Sequence, residues 1–365
     1  MRILQVLPDL SKGGAERVVV ELSNALIDSG HEVTLLTAHP VDIKLNQQSL
    51  NENIQVLFIT KKPLNRIFEY IRLPFWIATN WKKLKTYDVI HCHLTYGLFF
   101  GFLISFFRKI TLTKNLHLIA TCHVVGVGVS HRPRVINEKL SRFFDVFVLM
   151  AEDDLWRKFM MENKKQNFQI VRNGISAKAW SRSLKDTGNK NIFTVGTISR
   201  LQSERKPWLF LEVFAHIHKL TNGKVHFVLG GDGPEKESML ALAEKLGMGQ
   251  NLSMPGLVIY PSEILANLDL YIALNVEETT GIAGLEAVFS GVPVVSIQLS
   301  STYSNGDNDW IFSNQNPQVV ATKIVSLLDN SDEITRIEKE QYRMAIQNYS
   351  IVRMRDAYLK LYKGK

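Results

Sequence analysis

Short apolar runs alternate with amphipathic stretches along the first half of the chain. Runs at 2–7 (RILQVL), 32–37 (EVTLLT), 54–59 (IQVLFI), 87–92 (YDVIHC), 117–121 (HLIAT) and 145–150 (DVFVLM) predict strands. Several are apolar almost throughout, the pattern of strands buried on both faces of a parallel sheet. Between the first two, AERVVVELSNALIDSG places Val18, Val19, Leu22, Ala25 and Leu26 at helical spacing, with Gly30 as a stop. The pattern restarts near residue 190, with strand-like runs at 192–198 (IFTVGTI), 225–230 (VHFVLG), 270–274 (LYIAL) and 292–297 (VPVVSI). The polar stretch 181–191 reads as a linker and 346–365 as an amphipathic helix. Strand–helix alternation in two tandem blocks predicts an α/β protein of two Rossmann-like, doubly wound domains. Domains of that kind face a cleft where the carboxyl ends of strands meet.

Composition narrows this without changing it. A chain of 365 residues, 45% hydrophobic and 21% charged, fits two globular domains. No apolar run reaches the roughly 18 residues needed to span a bilayer. The opening MRILQVLPDL lacks the features of a signal peptide. Two cysteines, Cys92 and Cys122, build no disulfide framework, and the expected location is cytoplasmic. The net charge of +8 is uneven. Residues 1–180 hold 24 Lys and Arg against 15 Asp and Glu, and residues 181–365 hold 19 against 20. The excess in the first half suits an anionic partner or serves solubility.

The densest chemical signal is EETTGIAGLEAVFSGVPVV at 277–295. Gly281 falls where a loop turns into a helix, whose start offers unpaired backbone N–H groups and the positive dipole end to an anion. Glu286 in that helix could accept from a sugar or ribose hydroxyl, and Glu278 would face whatever sits over the helix start. Arg200 and Lys206 follow the first strand of the second block, where a ligand crevice forms. Gly13 and Gly14 would let backbone amides approach phosphates; the segment is not GxGxxG, which argues against a dinucleotide-dependent oxidoreductase. His123 follows a strand and could project into the cleft. In HCH (91–93), strand alternation sends Cys92 to the face opposite His91 and His93, so no zinc set forms. Asp307–Asn308–Asp309 has metal-binding spacing but lies in a polar loop.

These segments together resemble the family 4 glycosyltransferases. The resemblance covers nearly the whole chain: KGGAER (12–17), HCHLTYG (91–97), TCH (121–123), VRNGIS (171–176), VGTISRLQSERKP (195–207), GGDGP (230–234), the paired glutamates, and YSIVRMRDAYLKLY (349–362). It implies the GT-B fold. The acceptor-binding domain would span 1–175, the nucleotide-sugar-binding domain 176–345, and a helix over 346–365 would cross back to the first domain. It implies a retaining, metal-independent transfer from a nucleotide-diphosphate sugar, a co-substrate rather than a cofactor. His123, Glu278, Arg200 and Lys206 would be catalytic. Gly13, Gly14, Arg200, Lys206, Gly256, Leu257, Glu278, Gly281, Ile282, Ala283 and Glu286 would hold the donor. The sequence departs from the family at Thr279–Thr280, where Gly-Phe is more usual, which leaves the donor sugar open.

Stretch 61–85 mixes seven basic residues with Phe68, Tyr70, Phe75, Trp76 and Trp81, a composition suited to an anionic membrane interface. Together with this, the resemblance implies a glycan or glycolipid acceptor, on lipid-linked, polysaccharide or lipopolysaccharide material. Two other readings stay open: an epimerase or phosphorylase on the same architecture, and a non-catalytic sugar- or nucleic-acid-binding protein. No nucleic-acid-binding motif supports the last.

Overall fold

The computed structural model describes residues 1–10, 13–40, 50–113, 115–123, 131–150, 154–162, 167–177, 192–275, 281–298, 311–312 and 315–364. The chain divides into two compact units, Met1–Ser176 with Tyr349–Lys365, and Ala177–Asn348.

The first unit is built on β1 (Arg2–Val6), β2 (Glu32–Thr37), β3 (Gln55–Phe58), β4 (Val89–His93), β5 (His117–Cys122), β6 (Val146–Leu149) and β7 (Phe168–Ile170). They form one parallel sheet in the order β3-β2-β1-β4-β5-β6-β7. Helices α1 (Gly14–Asp28), α2 (Arg66–Leu84), α3 (Leu94–Ile110), α4 (His131–Ser141) and α5 (Asp154–Glu162) cover it. The apolar side of α2 packs Leu73, Ile77 and Leu84 against Leu4, Val6, Ile90 and Phe100. Each such buried side chain contributes roughly 1.5–3 kcal/mol. Cys92 joins this cluster, on the sheet face away from His91 and His93, as alternation requires.

The second unit carries β8 (Phe193–Ile198), β9 (Val225–Gly230), β10 (Leu252–Gly256), β11 (Leu270–Asn275), β12 (Val294–Gln298) and β13 (Ile311–Phe312). They run parallel in the order β10-β9-β8-β11-β12-β13. Its helices are α6 (Trp208–Leu220), α7 (Lys236–Lys245), α8 (Pro261–Leu265), α9 (Gly281–Phe289), α10 (Pro317–Leu328) and α11 (Ser331–Tyr349). Phe210, Phe214, Phe227, Ile272, Val295 and Ile324 share its core.

The last helix, α12 (Ile351–Tyr362), belongs to the first unit. The single helix expected over 346–365 is in fact two, because Ser350 breaks it. The Ser350 hydroxyl caps α12 at the Arg353 amide (3.5 Å), while its backbone bridges to Ile175. Gly174 lies so near that a Cβ there would come within 2.5 Å of the Ser350 carbonyl oxygen, which explains the glycine in VRNGIS.

Three strands escape the sequence pattern. β7 is short and half exposed, β10 contains Pro255 and Gly256, and β13 spans only two residues. Short or interrupted strands at sheet margins carry too little alternation to be read.

Candidate functional site

In each sheet the strand order reverses beside the unit's first strand, between β1 and β4 and between β8 and β11. Connections leave in opposite directions there, so the carboxyl ends of those strands flank a crevice.

In the second unit the loop after β8 carries Arg200 and Lys206, both exposed. The loop is fixed by its backbone. The Ser199 amide donates to Gly230 (2.9 Å) and the Leu201 amide to Asp232 (3.0 Å). Gly231 and Gly233 have φ of +142° and +158°, and a Cβ at either would collide with the Ser199 or Leu201 carbonyl. GGDGP is therefore glycine-rich so that the loop carrying Arg200 can lie directly on it. Lys206 itself is left-handed, φ +46°, and ends a 3₁₀ turn over Ser203–Arg205. Burial pushes the Tyr271 phenol up to about 12. From β11, its hydroxyl donates to the Ile198 carbonyl (2.9 Å) and accepts from the Ile198 amide (3.1 Å).

Across the crevice, the connection from β11 reaches α9 at Gly281. This residue is exposed and has φ +57°, a conformation that strains any side chain. Ile282 and Ala283 are half-buried in the first turn. No acidic side chain lies within that turn among the described residues, and the first amides of a helix have no partner inside it. Glu286 is buried and not a solvated helix carboxylate; its charge adds to the upward push on Tyr271. Gly256 (φ +75°) ends β10, and the exposed Leu257 follows it at the same sheet end. Glu278, Lys12 and Asp307–Asp309 lie outside the described residues.

In the first unit Gly13 is the N-cap of α1 and Gly14 its first residue. A Cβ at Gly13 would collide with the carboxylate of Glu16, which folds back over it. The chain's own carboxylate therefore lies where an incoming anion was expected. His123, just past β5, meets His93 from the end of β4: His123 Nε2 lies 2.9 Å from His93 Nδ1. Burial brings the His123 pKa down to about 4 and holds His91 and His93 well below the ordinary imidazole range. All three rings are neutral at pH 7.

Sequence reasoning did not assign His93, Gln5, Thr121, Tyr358 or Tyr362 to the site. These buried residues form a continuous hydrogen-bonded set with His91 and His123. The readable signals were paired His on alternate strand positions and two Tyr four apart on the last helix.

The basic and aromatic stretch also divides differently from its composition. Tyr70, Trp76 and Trp81 pack inward beside Phe99, Phe100 and Phe107. The outward face of α2 is instead Ile67, Phe68, Ile71 and Phe75, exposed by 54–72%, with Arg72, Lys82 and Lys83 exposed on the same helix. Among the described residues no helix is long and apolar enough to cross a membrane.

Two family models match the chain, Glycosyltransferase Family 4 over residues 12–159 and Glycosyl transferases group 1 over 179–344. N-acetyl-alpha-D-glucosaminyl L-malate synthase of Bacillus anthracis is 22% identical over 352 residues, covering 92% of this chain and 90% of that enzyme. The GalNAc-alpha-(1->4)-GalNAc-alpha-(1->3)-diNAcBac-PP-undecaprenol alpha-1,4-N-acetyl-D-galactosaminyltransferase of Campylobacter jejuni is 22% identical, covering 99% of this chain and 98% of the relative. Among solved structures, HepE of Anabaena in complex with UDP-glucose superposes with a TM-score of 0.78 at 17% identity, covering the whole of both chains. The chain is a glycosyltransferase and belongs to the family 4 glycosyltransferases of the GT-B type.

Proposed function

We propose that this glycosyltransferase moves a sugar, with retention of configuration, from a nucleotide-diphosphate sugar to a lipid-linked or cell-surface glycan at the cytoplasmic face of a membrane. One observation carries the reading. The cation-bearing loop after β8 and the start of α9 flank the same switch point of one sheet. Negative charge grows on the β-phosphate oxygen as the sugar leaves, and fixed positive groups there favour the transition state over the ground state. Arg200, Lys206 and the amides behind Gly281 supply those groups. HepE, a structure of the same fold, was solved with UDP-glucose.

The proposed step balances without a protein base. The bond from the anomeric carbon to the phosphate oxygen breaks, and its electron pair stays on the diphosphate. The acceptor oxygen bonds to the anomeric carbon from the same face, and its proton passes to the departing phosphate. His123, held neutral with a pKa of about 4, is a weak base and serves as a hydrogen-bonding partner of the sugar. Glu286 takes ribose hydroxyls and Glu278 the sugar hydroxyls, while Ile282, Ala283, Gly256 and Leu257 line the donor's surroundings. In the first unit, Gly13 and Gly14 offer amides to an anion once the Glu16 carboxylate swings aside. With these cations and amides in place the transfer needs no metal ion, so turnover persists in excess chelator.

The acceptor follows from α2. An apolar outward face with basic residues is the chemistry of an anionic bilayer surface, and the Campylobacter relative is named for an undecaprenol-linked acceptor. The test is transfer from a panel of nucleotide sugars to a lipid-linked glycan, with the product anomer read by proton NMR. Retained configuration supports the mechanism; inversion rules it out.

A further inference from the structure

The hydrogen bonds leaving His123 run in one direction. The Gln5 carbonyl oxygen can only accept, so at 2.6 Å from His93 Nε2 it requires that nitrogen to carry the proton. A neutral His93 then has a bare Nδ1, which accepts from His123 Nε2 at 2.9 Å. On the other side, the Gln5 amide nitrogen donates to the Tyr362 hydroxyl (3.3 Å). That hydroxyl is free to donate onward to His91 Nδ1 (2.8 Å). His91 Nε2 then donates to Thr121 Oγ1 (2.7 Å), which also meets Tyr358 (2.9 Å). Gln5, His91 and Thr121 are fully buried, and His93, Tyr358 and Tyr362 nearly so. Each member is held by its neighbours, so reversing one of these bonds reverses the others with it.

The sheet register makes this possible. Gln5 pairs with His91 across β1 and β4, and His93 pairs with Thr121 across β4 and β5. The four side chains therefore stand on one face, and Tyr358 and Tyr362, one turn apart on α12, close over it. The free end of the set is His123 Nδ1, buried and without a partner among the described residues.

We propose that Gln5, acting through His93 and held between His93 and Tyr362, keeps His123 as the tautomer protonated on Nε2, so that its bare Nδ1 accepts a hydrogen bond from a substrate hydroxyl. Gln5, His93 and Tyr362 are positioning residues for the transfer. The tautomer assignment stands on this geometry alone; its use rests on the reading of His123 as a sugar-contacting residue. An Nδ1 in this state repels an anionic oxygen and welcomes a hydroxyl. His123 therefore selects on the sugar and does not stabilise the leaving phosphate. The last helix in the chain thereby sets the hydrogen-bonding sense of a residue at the end of β5.

The test uses the full chain with ¹⁵N-labelled histidine at pH 7.5, reading ring nitrogens through long-range proton–nitrogen correlation, with His123 assigned from His123→Gln. Wild type is expected to show His123 with its proton on Nε2 and a bare Nδ1. Gln5→Glu, whose oxygens can only accept when ionised, keeps that tautomer as the carboxylate. Tyr362→Phe frees the Gln5 amide to turn and gives His123 a mixture of tautomers. Its kcat falls about tenfold, the low end of what removing a histidine's orienting partner costs at a metal site, with KM for the donor unchanged. A proton on Nδ1 in wild type overturns the proposal. So does a Tyr362→Phe protein that melts earlier while its His123 tautomer and kcat stay as in wild type. Undiminished transfer by His123→Gln would instead sink the reading of His123 as a site residue and leave the tautomer assignment standing.

Discussion

The Tyr271 hydroxyl grips both the amide and the carbonyl of Ile198, at 3.1 and 2.9 Å. Ile198 is the last residue of β8, two positions before Arg200. A side chain of β11 thus pins the strand end from which the cation-bearing loop departs. Tyr271→Phe leaves two part-buried backbone groups of Ile198 without that partner. It should destabilise the protein by about 1–3 kcal/mol and weaken nucleotide-sugar binding, measured by urea unfolding and by titration of the donor.

The glycines beneath the same loop give a sharper handle. Gly231→Ala and Gly233→Ala drive a Cβ into the Ser199 and Leu201 carbonyls at a positive φ. The loop must move, so donor affinity should fall on the order of tenfold or more, with a loss of stability of about 1–3 kcal/mol. Gly247→Ala, at φ +69° but in open space, should cost stability without changing donor affinity. Calorimetric titration of all three separates backbone strain from displacement of Arg200.

Arg200→Ala and Lys206→Ala should each lower kcat by on the order of 100-fold, about 3 kcal/mol of barrier, as expected for a preorganised charge facing a developing oxyanion. Steady-state kinetics distinguish this from loss of ground-state binding, which would raise KM alone.

The buried imidazoles predict a pH dependence of stability. Their folded pKa values lie below the unfolded value near 6.5, well below it for His91 and His93 and at about 4 for His123. The unfolded chain therefore binds more protons between those limits, and stability falls as pH falls through that window. The contribution is complete above about pH 6.5 and declines from there toward about pH 4. Unfolding free energy measured from pH 8 to pH 4.5 should drop over this range, and His93→Gln should flatten the slope.

For the membrane face, Phe75→Glu combined with Ile71→Glu removes two exposed apolar side chains, each adding roughly 1.5–3 kcal/mol when buried. Co-sedimentation with anionic vesicles should be lost, while transfer to a water-soluble acceptor is kept. Wild type that stays in the supernatant at low salt ends the membrane proposal.

The fold was largely legible because its strands are buried on both faces and read as apolar runs, as RILQVL and DVFVLM do. The exceptions follow from the same physics: β10, with Pro255 and Gly256, shows no continuous run. Arg200, Lys206 and Gly281 are read from the segments that follow β8 and β11, and the structure sets those segments beside the switch point, where a doubly wound sheet puts its ligands. The set around His123 could not be read. Gln5 and Tyr362 meet across 357 positions, and no local pattern encodes such a pairing. Trp76 and Trp81 look interfacial by type yet pack inward, because helical phase, not composition, decides which face of α2 meets solvent.

The central claim is that the second unit holds a diphosphate through Arg200, Lys206 and the start of α9. Calorimetric binding of nucleoside diphosphate and nucleoside monophosphate to wild type and to the Arg200→Ala/Lys206→Ala double variant tests it most directly. The account predicts that wild type prefers the diphosphate by about tenfold or more, worth at least ~1.4 kcal/mol, and that the double variant binds both alike. A preference that survives loss of both cations would contradict it.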